Sequence, residues 1–217
     1  MKKELEHFNV DTFYGGSQKW FSDAWMKIGG CGAVTACDVC IYLARYMGMK
    51  ELYPYDPFHV TMEDYLKFGM QMKPFLSPRM HGINKTSTYI NGFTDYLVEC
   101  GSFPIRFDDL QGDAGTDDAI EAVRTQIDLG FPVPYLMLLH RDKKLDDYMW
   151  HWFLLNGYDD EGKRFKVKVV TYGEAKWMDL LHLWRTDRKR KGGIVLIRPN
   201  QAEQDVPARE EQEQHNG

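Results

Sequence analysis

The sequence predicts an α+β fold, with helices first and an antiparallel sheet after them. Three observations predict it. A long apolar segment after Gly29-Gly30 indicates a buried helix, and three later segments carry apolar residues at helical spacing. From about residue 131 onward, short apolar runs alternate with turn residues, as strands do. Helices followed by hairpin-connected strands are typical of α+β proteins rather than of parallel α/β folds.

The first helix is predicted from Cys31 to Met47. Thr35, Asp38 and Arg45 are its only clearly polar residues, and Gly48 stands where a helix commonly ends. A helix that is apolar on nearly every face must be buried on nearly every face. We therefore expect this helix at the centre of the domain.

Three further helices follow in the sequence. One begins at Thr61, where Asp64 completes a capping-box-like start, and runs toward Lys73. Another is predicted from Ser87 to Cys100 by its apolar spacing. The last begins near Thr116, followed by two aspartates that favour the positive end of the helix dipole, and ends at Gly130.

Four strands complete the expected fold. Apolar or alternating runs predict them at Val133–Leu139, His151–Tyr158, Arg164–Tyr172 and Gly193–Arg198, with a turn over residues 159–162. These elements form one predicted domain over residues 1–199, and the acidic segment 200–217 is expected to be a disordered tail.

Composition and charge limit the partners. A formal charge of -5 argues against a dedicated nucleic-acid binder, which needs a basic surface. The basic run from Arg185 to Lys191 is interrupted by Asp187, and we interpret it as a solvated turn. No apolar stretch is long enough to cross a bilayer, so we expect a cytoplasmic protein that does not contact membranes. The sequence does not predict an oligomeric state.

The four cysteines are expected to be reduced thiols in that compartment. Cys37 and Cys40 form a Cys-x-x-Cys inside the first helix, and not at its beginning, where a redox pair has a low pKa. No second cysteine pair supplies further zinc ligands. We therefore interpret Cys37 and Cys40 as core thiols and predict neither a metal nor a cofactor.

Cys31 is the candidate nucleophile. Gly30 and Gly32 flank it at the junction of a loop with the first helix, so the backbone can approach a ligand closely. The positive end of the helix would lower the thiol pKa, and backbone N–H groups at Gly30 and Gly32 would stabilise an oxyanion. A buried core cysteine is the alternative that the local pattern leaves open.

His151 is the candidate base. It opens an apolar strand, and a Cys–His pair can come from elements far apart in the sequence. His140, at the end of the preceding predicted strand, is the rival. A structural histidine at a strand edge is the other alternative for His151.

The two motifs together resemble those of the papain-like cysteine peptidases, in particular the bacterial branch similar to bacteriocin-leader (double-glycine) peptidases. The matching segments are Gly29-Gly30-Cys31-Gly32 at a helix start and His151-Trp152-Phe153-Leu154-Leu155-Asn156-Gly157-Tyr158-Asp159 at a strand. Residues 129–134 and 171–173 match as well, so the resemblance spans about residues 25–198. It implies a papain-like fold and a Cys31–His151 dyad that forms an acyl-enzyme.

Two positions depart from the family pattern. A glutamine usually stands a few residues before the cysteine and completes the oxyanion hole, but residues 23–27 hold none and Gln18 lies farther back. The family position for the Asn or Asp that orients the histidine falls on Val170. Thr171 or Asp179 is the expected substitute.

The sequence therefore predicts a cysteine-dependent hydrolase or acyltransferase that acts on an amide or thioester carbonyl of a peptide or acyl substrate. Trp25, Trp150 and Trp152 cluster around the two residues in sequence and are expected to line its groove, with core packing as the alternative. An inactive papain-like domain that binds a peptide or a protein is the rival function, favoured by the missing glutamine and asparagine.

Overall fold

The computed structural model describes residues 1–101 and 105–200 of the 217-residue chain. Its helices are α1 Ala24–Gly29, α2 Cys31–Tyr46, α3 Met62–Met72, α4 Thr86–Glu99, α5 Thr116–Asp128 and α6 Leu180–Trp184. Its strands are β1 Lys2–Glu4, β2 Asn9–Val10, β3 Phe13–Tyr14, β4 Ile105–Gln111, β5 Val133–Met137, β6 His151–Asp159, β7 Lys166–Thr171, β8 Glu174–Asp179 and β9 Gly192–Pro199. Short 3-10 helices span Gln18–Trp20, Lys50–Leu52 and Lys143–Tyr148.

The main sheet has seven strands and is antiparallel throughout. Six run in the order β4-β9-β5-β6-β7-β8, and β1 pairs with β6 beyond the end of β5. The pairs Met137↔His151 and Met137↔Gly192 bring the beginnings of β6 and β9 to one end of the sheet. That end carries the candidate site described below.

Helix α2 is the buried centre of the fold. All residues from Cys31 to Ala44 are buried, and the helix packs against α3 on one side and β6 on the other. Gly48 follows it with a φ of 76°, the left-handed conformation that ends many helices. The helix predicted from an apolar sequence flanked by glycines is therefore confirmed.

The other predicted helices are confirmed to within two residues at most ends. Thr61 caps α3 by accepting a hydrogen bond from the backbone N–H of Asp64. Asp118 accepts one from the N–H of Gly115 at the start of α5. Capping residues act over a few positions and can be recognised in a sequence, which explains this agreement.

The predicted order of helices before strands is wrong in two respects. β1 precedes every helix and pairs with β6 in the main sheet. β4 lies between α4 and α5 in the chain and joins the sheet edge beside β9. Its sequence, IRFDDLQ, carries three charges and has only one side chain that is fully buried, so its apolar pattern is weak. β8, also missed, is a largely exposed edge strand. Pairing with neighbours, and not local sequence, makes both segments strands.

Within the described residues, no helix is long and apolar enough to cross a membrane. Except for Asn200, the predicted tail at 200–217 lies outside the described residues.

Candidate active site

Cys31 is the first residue of α2, and its side chain is only 3% exposed. Backbone N–H groups of Gly32, Trp152 and Cys31 itself point toward its sulfur. The N–H of Gly30 donates to the carbonyl of Met26, at 3.0 Å. Of the two predicted oxyanion donors, Gly32 therefore has its N–H beside the sulfur, whereas the N–H of Gly30 is engaged in the junction between α1 and α2.

His151 is the first residue of β6 and is 5% exposed. Its ring nitrogen Nε2 lies 2.7 Å from Oγ1 of Thr171, at the end of the adjacent strand β7. The ring stacks on Tyr172, with 4.5 Å between ring centroids and 8° between planes. These two contacts fix the orientation of the imidazole.

Cys31 and His151 line the same small cavity, which we call the nucleophile cavity. It has a volume of about 10 Å³, room for about one water molecule. Its wall is formed by one face of α2, the segment before α1 and the ends of β6 and β7: residues 16–18, Cys31, Val34, Thr35, Asp38, His151, Trp152 and residues 170–172. Residues separated by 120 positions thus meet where the helical half contacts the sheet.

Two bulky residues beside this cavity have left-handed backbones. Trp150, directly before His151, has a φ of 55°, and Tyr172, directly after Thr171, has a φ of 57°. The two other non-glycine residues with positive φ in the described chain are aspartates, for which that conformation costs less. Each such conformation costs about 1–3 kcal/mol and is typical of functional sites.

Gln18 lies on the wall of the nucleophile cavity although it stands 13 residues before Cys31. The short helix α1 accounts for the intervening residues. The amide nitrogen of Gln18 donates to the carbonyls of Lys27 and Ile28, at 3.0 and 3.3 Å, and its buried Oε1 has no partner among the described residues. No local signal identifies it, since only the path of the chain around α1 brings it back.

Burial determines the protonation of the pair. It raises the pKa of the Cys31 thiol to about 11, against the smaller effect of the surrounding N–H groups. Burial, assisted by the positive charge of Lys19, lowers the pKa of His151 to about 3. The predicted lowering of the thiol pKa is therefore wrong, because burial outweighs the effect of the helix end. Both shifts favour the neutral forms of the two groups.

Asp38 also lines the nucleophile cavity, two turns along α2 from Cys31. Its carboxyl accepts hydrogen bonds from Tyr65 Oη at 2.6 Å and from the backbone N–H of Gly16 at 3.1 Å. Burial raises its pKa to about 7. Gly16 is required here, because a Cβ at this position would lie 1.7 Å from Tyr65 Oη.

Several predicted site residues lie elsewhere. Asp179 caps α6 and pairs with Lys166, at the opposite end of β7 from Thr171, so it does not orient His151. His140 bonds the carbonyl of His182 through Nε2 and the N–H of Asp142 through Nδ1, which removes it as the rival base.

The three tryptophans have different environments. Trp25 is 50% exposed and does not line the nucleophile cavity. Trp152 is 1% exposed, donates to the carbonyl of Ile83 and stacks on Tyr89, so it is mainly a core residue. Trp150 lines an open cavity beside His151.

In the part of the chain that the structure describes, no group of three or more His, Cys, Asp or Glu side chains is arranged to hold a metal ion. Cys37 and Cys40 are fully buried free thiols on α2.

Comparison with known proteins gives a relationship at the level of the fold. No family model and no curated protein matches the sequence. The structure is similar to the crystal structure of UfSP from C. elegans, a cysteine protease of the papain-like fold, with a TM-score of 0.52 and 13% identity. The similarity covers 92% of this chain, which spans about a third (34%) of the length of UfSP. The α+β domain is therefore papain-like in fold.

Proposed function

We propose that this protein is a cysteine-dependent hydrolase that attacks a peptide amide, or a related acyl group, through Cys31 and His151. The observation that carries the proposal is their common position on the nucleophile cavity, one at the start of the buried helix and the other at the start of a central strand. The motif resemblance to leader peptidases supports a peptide as the substrate, and the similarity to UfSP supports the fold in which such a pair works.

In the proposed reaction, Nδ1 of His151 takes the thiol proton as Sγ of Cys31 attacks the carbonyl carbon. The N–H group of Gly32 and the amide of Gln18, once it leaves the carbonyls of Lys27 and Ile28, would hold the oxyanion. The leaving amine departs with the proton from His151, and water or another acceptor then releases the acyl group from sulfur. Thr171 holds the ring during both steps.

A neutral resting pair makes His151 a general base at the moment of attack and not the partner of a preformed thiolate. The elevated thiol pKa follows from the closed cavity, so a substrate must open the site before it can react. In the proposed reaction, the Gln18 side chain moves away from the carbonyls of Lys27 and Ile28 and opens the cavity.

The experiment is acylation of the purified protein by an activated peptide thioester, with the acylated cysteine located by mass spectrometry. We expect an acyl group on Cys31, and a rate at least 100-fold lower in the variant His151→Asn, because a general base contributes about 10²–10⁴. Alkylation of Cys31 by iodoacetamide should rise with pH between 7 and 10, since its thiol pKa is raised.

Cys100→Ala is the matched control, because Cys100 is the one partly exposed free cysteine among the described residues. Removing it should leave acylation unchanged. Labelling that follows Cys100, or that is equal in wild type and His151→Asn, would sink the hydrolase proposal.

An inactive peptide-binding domain is the second candidate. The observations that favour it are the small volume of the nucleophile cavity and the engagement of the Gln18 amide with α1. In that case Cys31 reacts with no acyl donor, while peptides still bind.

A further inference from the structure

A larger cavity opens at the same end of the sheet as the candidate active site. Its volume is about 440 Å³, and its walls are the start of α4, the end of β4 and the segment that leads into β9. We call it the basic cavity, defined by residues 84–87, 111–113, Leu136, Leu138 and residues 189–192. Lys85, Lys189, Arg190 and Lys191 line it with a single carboxyl group, Asp113.

Within residues 1–101 and 105–200, Asp113 is the one carboxylate that lines the cavity beside these four cations. Among the described residues, no carboxylate forms an ion pair with Lys85, Lys189, Arg190 or Lys191. Asp187, the acidic residue within the basic run, pairs with Arg141 and not with any of these four cations. A concave site lined by one sign of charge attracts ligands of the opposite sign.

The basic wall is held by the sheet. The carbonyls of Arg190 and Lys191 accept hydrogen bonds from Leu139 and Leu138, both at 3.1 Å, which extends the β5–β9 ladder beyond the strand. Gly192 has a φ of 101°, and a Cβ there would lie 2.0 Å from the carbonyl oxygen of Leu136. The sequence predicts that the basic run is a solvated turn. In the structure, the end of this run is held by the hydrogen bonds to Leu138 and Leu139 and by the close packing of Gly192 on Leu136.

A third cavity, which we call the bridging cavity, extends from the basic cavity to Trp150, the residue before His151. It has a volume of about 220 Å³ and is lined by His81, Asn84, Trp150 and Arg190, of which Asn84 and Arg190 also line the basic cavity. The guanidinium of Arg190 lies 4.7 Å from the ring centre of Trp150, the residue before His151. The bridging cavity and the basic cavity together thus form an open surface that runs from the residue next to His151 to the cations.

The strand register gives the distance from His151 to the basic cavity. His151 pairs with Met137, Met137 pairs with Gly192, and Gln111 pairs with the neighbouring Gly193. At a strand spacing of about 4.8 Å, the basic cavity begins roughly 10 Å from His151 and ends roughly 14 Å away. An extended peptide covers about 3.3 Å per residue, so the distance corresponds to about three or four residues.

We propose that the basic cavity is a substrate subsite that binds acidic side chains about three or four residues from the carbonyl attacked by Cys31. This inference rests on the proposed function for the identity of the attacked bond, but the binding of an acidic peptide does not require catalysis. The bridging cavity, which extends from the basic cavity to the residue before His151, favours a peptide over a free phosphate, which would share the anionic chemistry without needing that cavity.

The test measures binding to the Cys31→Ala protein by fluorescence anisotropy, so that turnover does not interfere. The probe is a labelled nine-residue peptide of Gly and Ser with two adjacent Glu, and its matched partner carries Gln at both places. We expect the Glu peptide to bind at least tenfold more tightly. We expect the double variant Lys85→Glu/Lys189→Glu, which changes two walls of the cavity, to abolish that preference.

Lys163→Glu/Lys176→Glu is the control, because it makes the same change in net charge at exposed lysines outside the cavity. It should retain the preference for Glu. Equal binding of the two peptides, or an equal loss in the control variant, would overturn the subsite. So would binding of inorganic phosphate by a protein that ignores the acidic peptide.

Catalysis provides a separate arm. In wild type, the Glu peptide should protect Cys31 from iodoacetamide more strongly than the Gln peptide does. Preferential binding without acylation of Cys31 would contradict the hydrolase proposal and leave the subsite standing. Acylation of Cys31 with no preference for the Glu peptide would support the hydrolase proposal and overturn the subsite.

Discussion

At the scale of single residues, Thr171 is the residue that contacts the ring nitrogen of His151. Its hydroxyl holds Nε2 of His151 at 2.7 Å, and Tyr172 supports the ring from one face. A hydroxyl fixes the orientation of an imidazole but supplies no negative charge to stabilise its protonated form. The neutral His151, with its lowered pKa, agrees with that arrangement.

The variant Thr171→Val tests this positioning role. It keeps the side-chain shape and removes the hydrogen bond, so we expect kcat to fall about tenfold with KM nearly unchanged, in keeping with a hydrogen bond of roughly 0.5–1.5 kcal/mol. Thr171→Ser is the control and should retain activity. A valine variant that matches wild type in steady-state kinetics would remove Thr171 from the mechanism.

At the scale of elements, α2 connects the site with the rest of the helical half. Asp38 lies on the same face as Cys31 and receives hydrogen bonds from Tyr65 on α3 and from Gly16 in the segment that carries Gln18. These bonds hold that segment against α2. The position of Gln18 on the nucleophile cavity therefore depends on a carboxyl group two turns away from the nucleophile.

Asp38→Asn tests the protonation of this group. The folded carboxyl keeps its proton up to a pH of about 7, whereas the unfolded one loses it near 3.9, so the folded state binds more protons in between. Asp38 thus lowers wild-type stability as pH rises through that window, by up to about 4 kcal/mol in total. Asparagine does not ionise, so the melting temperature of the variant should rise relative to wild type between pH 5 and pH 8.

Thermal melts of both proteins at the two pH values give the comparison. Asp113→Asn, at an exposed carboxyl, should show no such relative change. A constant difference between wild type and Asp38→Asn would mean that Asp38 is ionised throughout.

At the scale of the whole molecule, the candidate site forms where three parts of the chain meet. The helical half supplies Cys31, the sheet supplies His151 and Thr171, and the N-terminal segment supplies Gln18. That segment also buries His7, which stacks on Tyr14. Both ring nitrogens of His7 are buried without a hydrogen-bond partner among the described residues.

The two buried histidines predict sensitivity to acid. Burial lowers the pKa of both His7 and His151 to about 3. Below pH 6.5 the unfolded chain binds protons that the folded protein excludes, so stability is present above that pH and falls toward pH 3. Between pH 6.5 and pH 5, each histidine lowers the free energy of unfolding by about 2 kcal/mol. Asp38 acts in the opposite direction, because its folded carboxyl binds a proton more readily than the unfolded one.

Denaturant unfolding at pH 7, 6 and 5 measures this effect. As the pH falls, the free energy of unfolding of the variant His7→Phe should decrease more slowly than that of wild type. The two slopes against pH should differ by the equivalent of about one proton. His59→Gln, at an exposed histidine, should follow wild type. A His7→Phe curve parallel to that of wild type would show that His7 is protonated in the fold.

The sequence alone determined the features that local chemistry encodes. The buried helix from Cys31, its end at Gly48 and the capped start of α3 follow from hydrophobic spacing and capping residues, which act over a few positions. The same holds for the strand that begins at His151. The choice of Cys31 and His151 as a pair also came from sequence, through the resemblance to a known family.

Only the tertiary structure decided what depends on distant contacts. It brought Gln18 to the nucleophile cavity, assigned Thr171 rather than Asp179 to His151, and joined the basic run to the same end of the sheet. It also reversed the expected pKa shift of Cys31, because a helix end lowers a thiol pKa only where burial does not outweigh it. Burial, strand pairing and the positions of the cavities arise from residues far apart in the chain, and no local pattern encodes them.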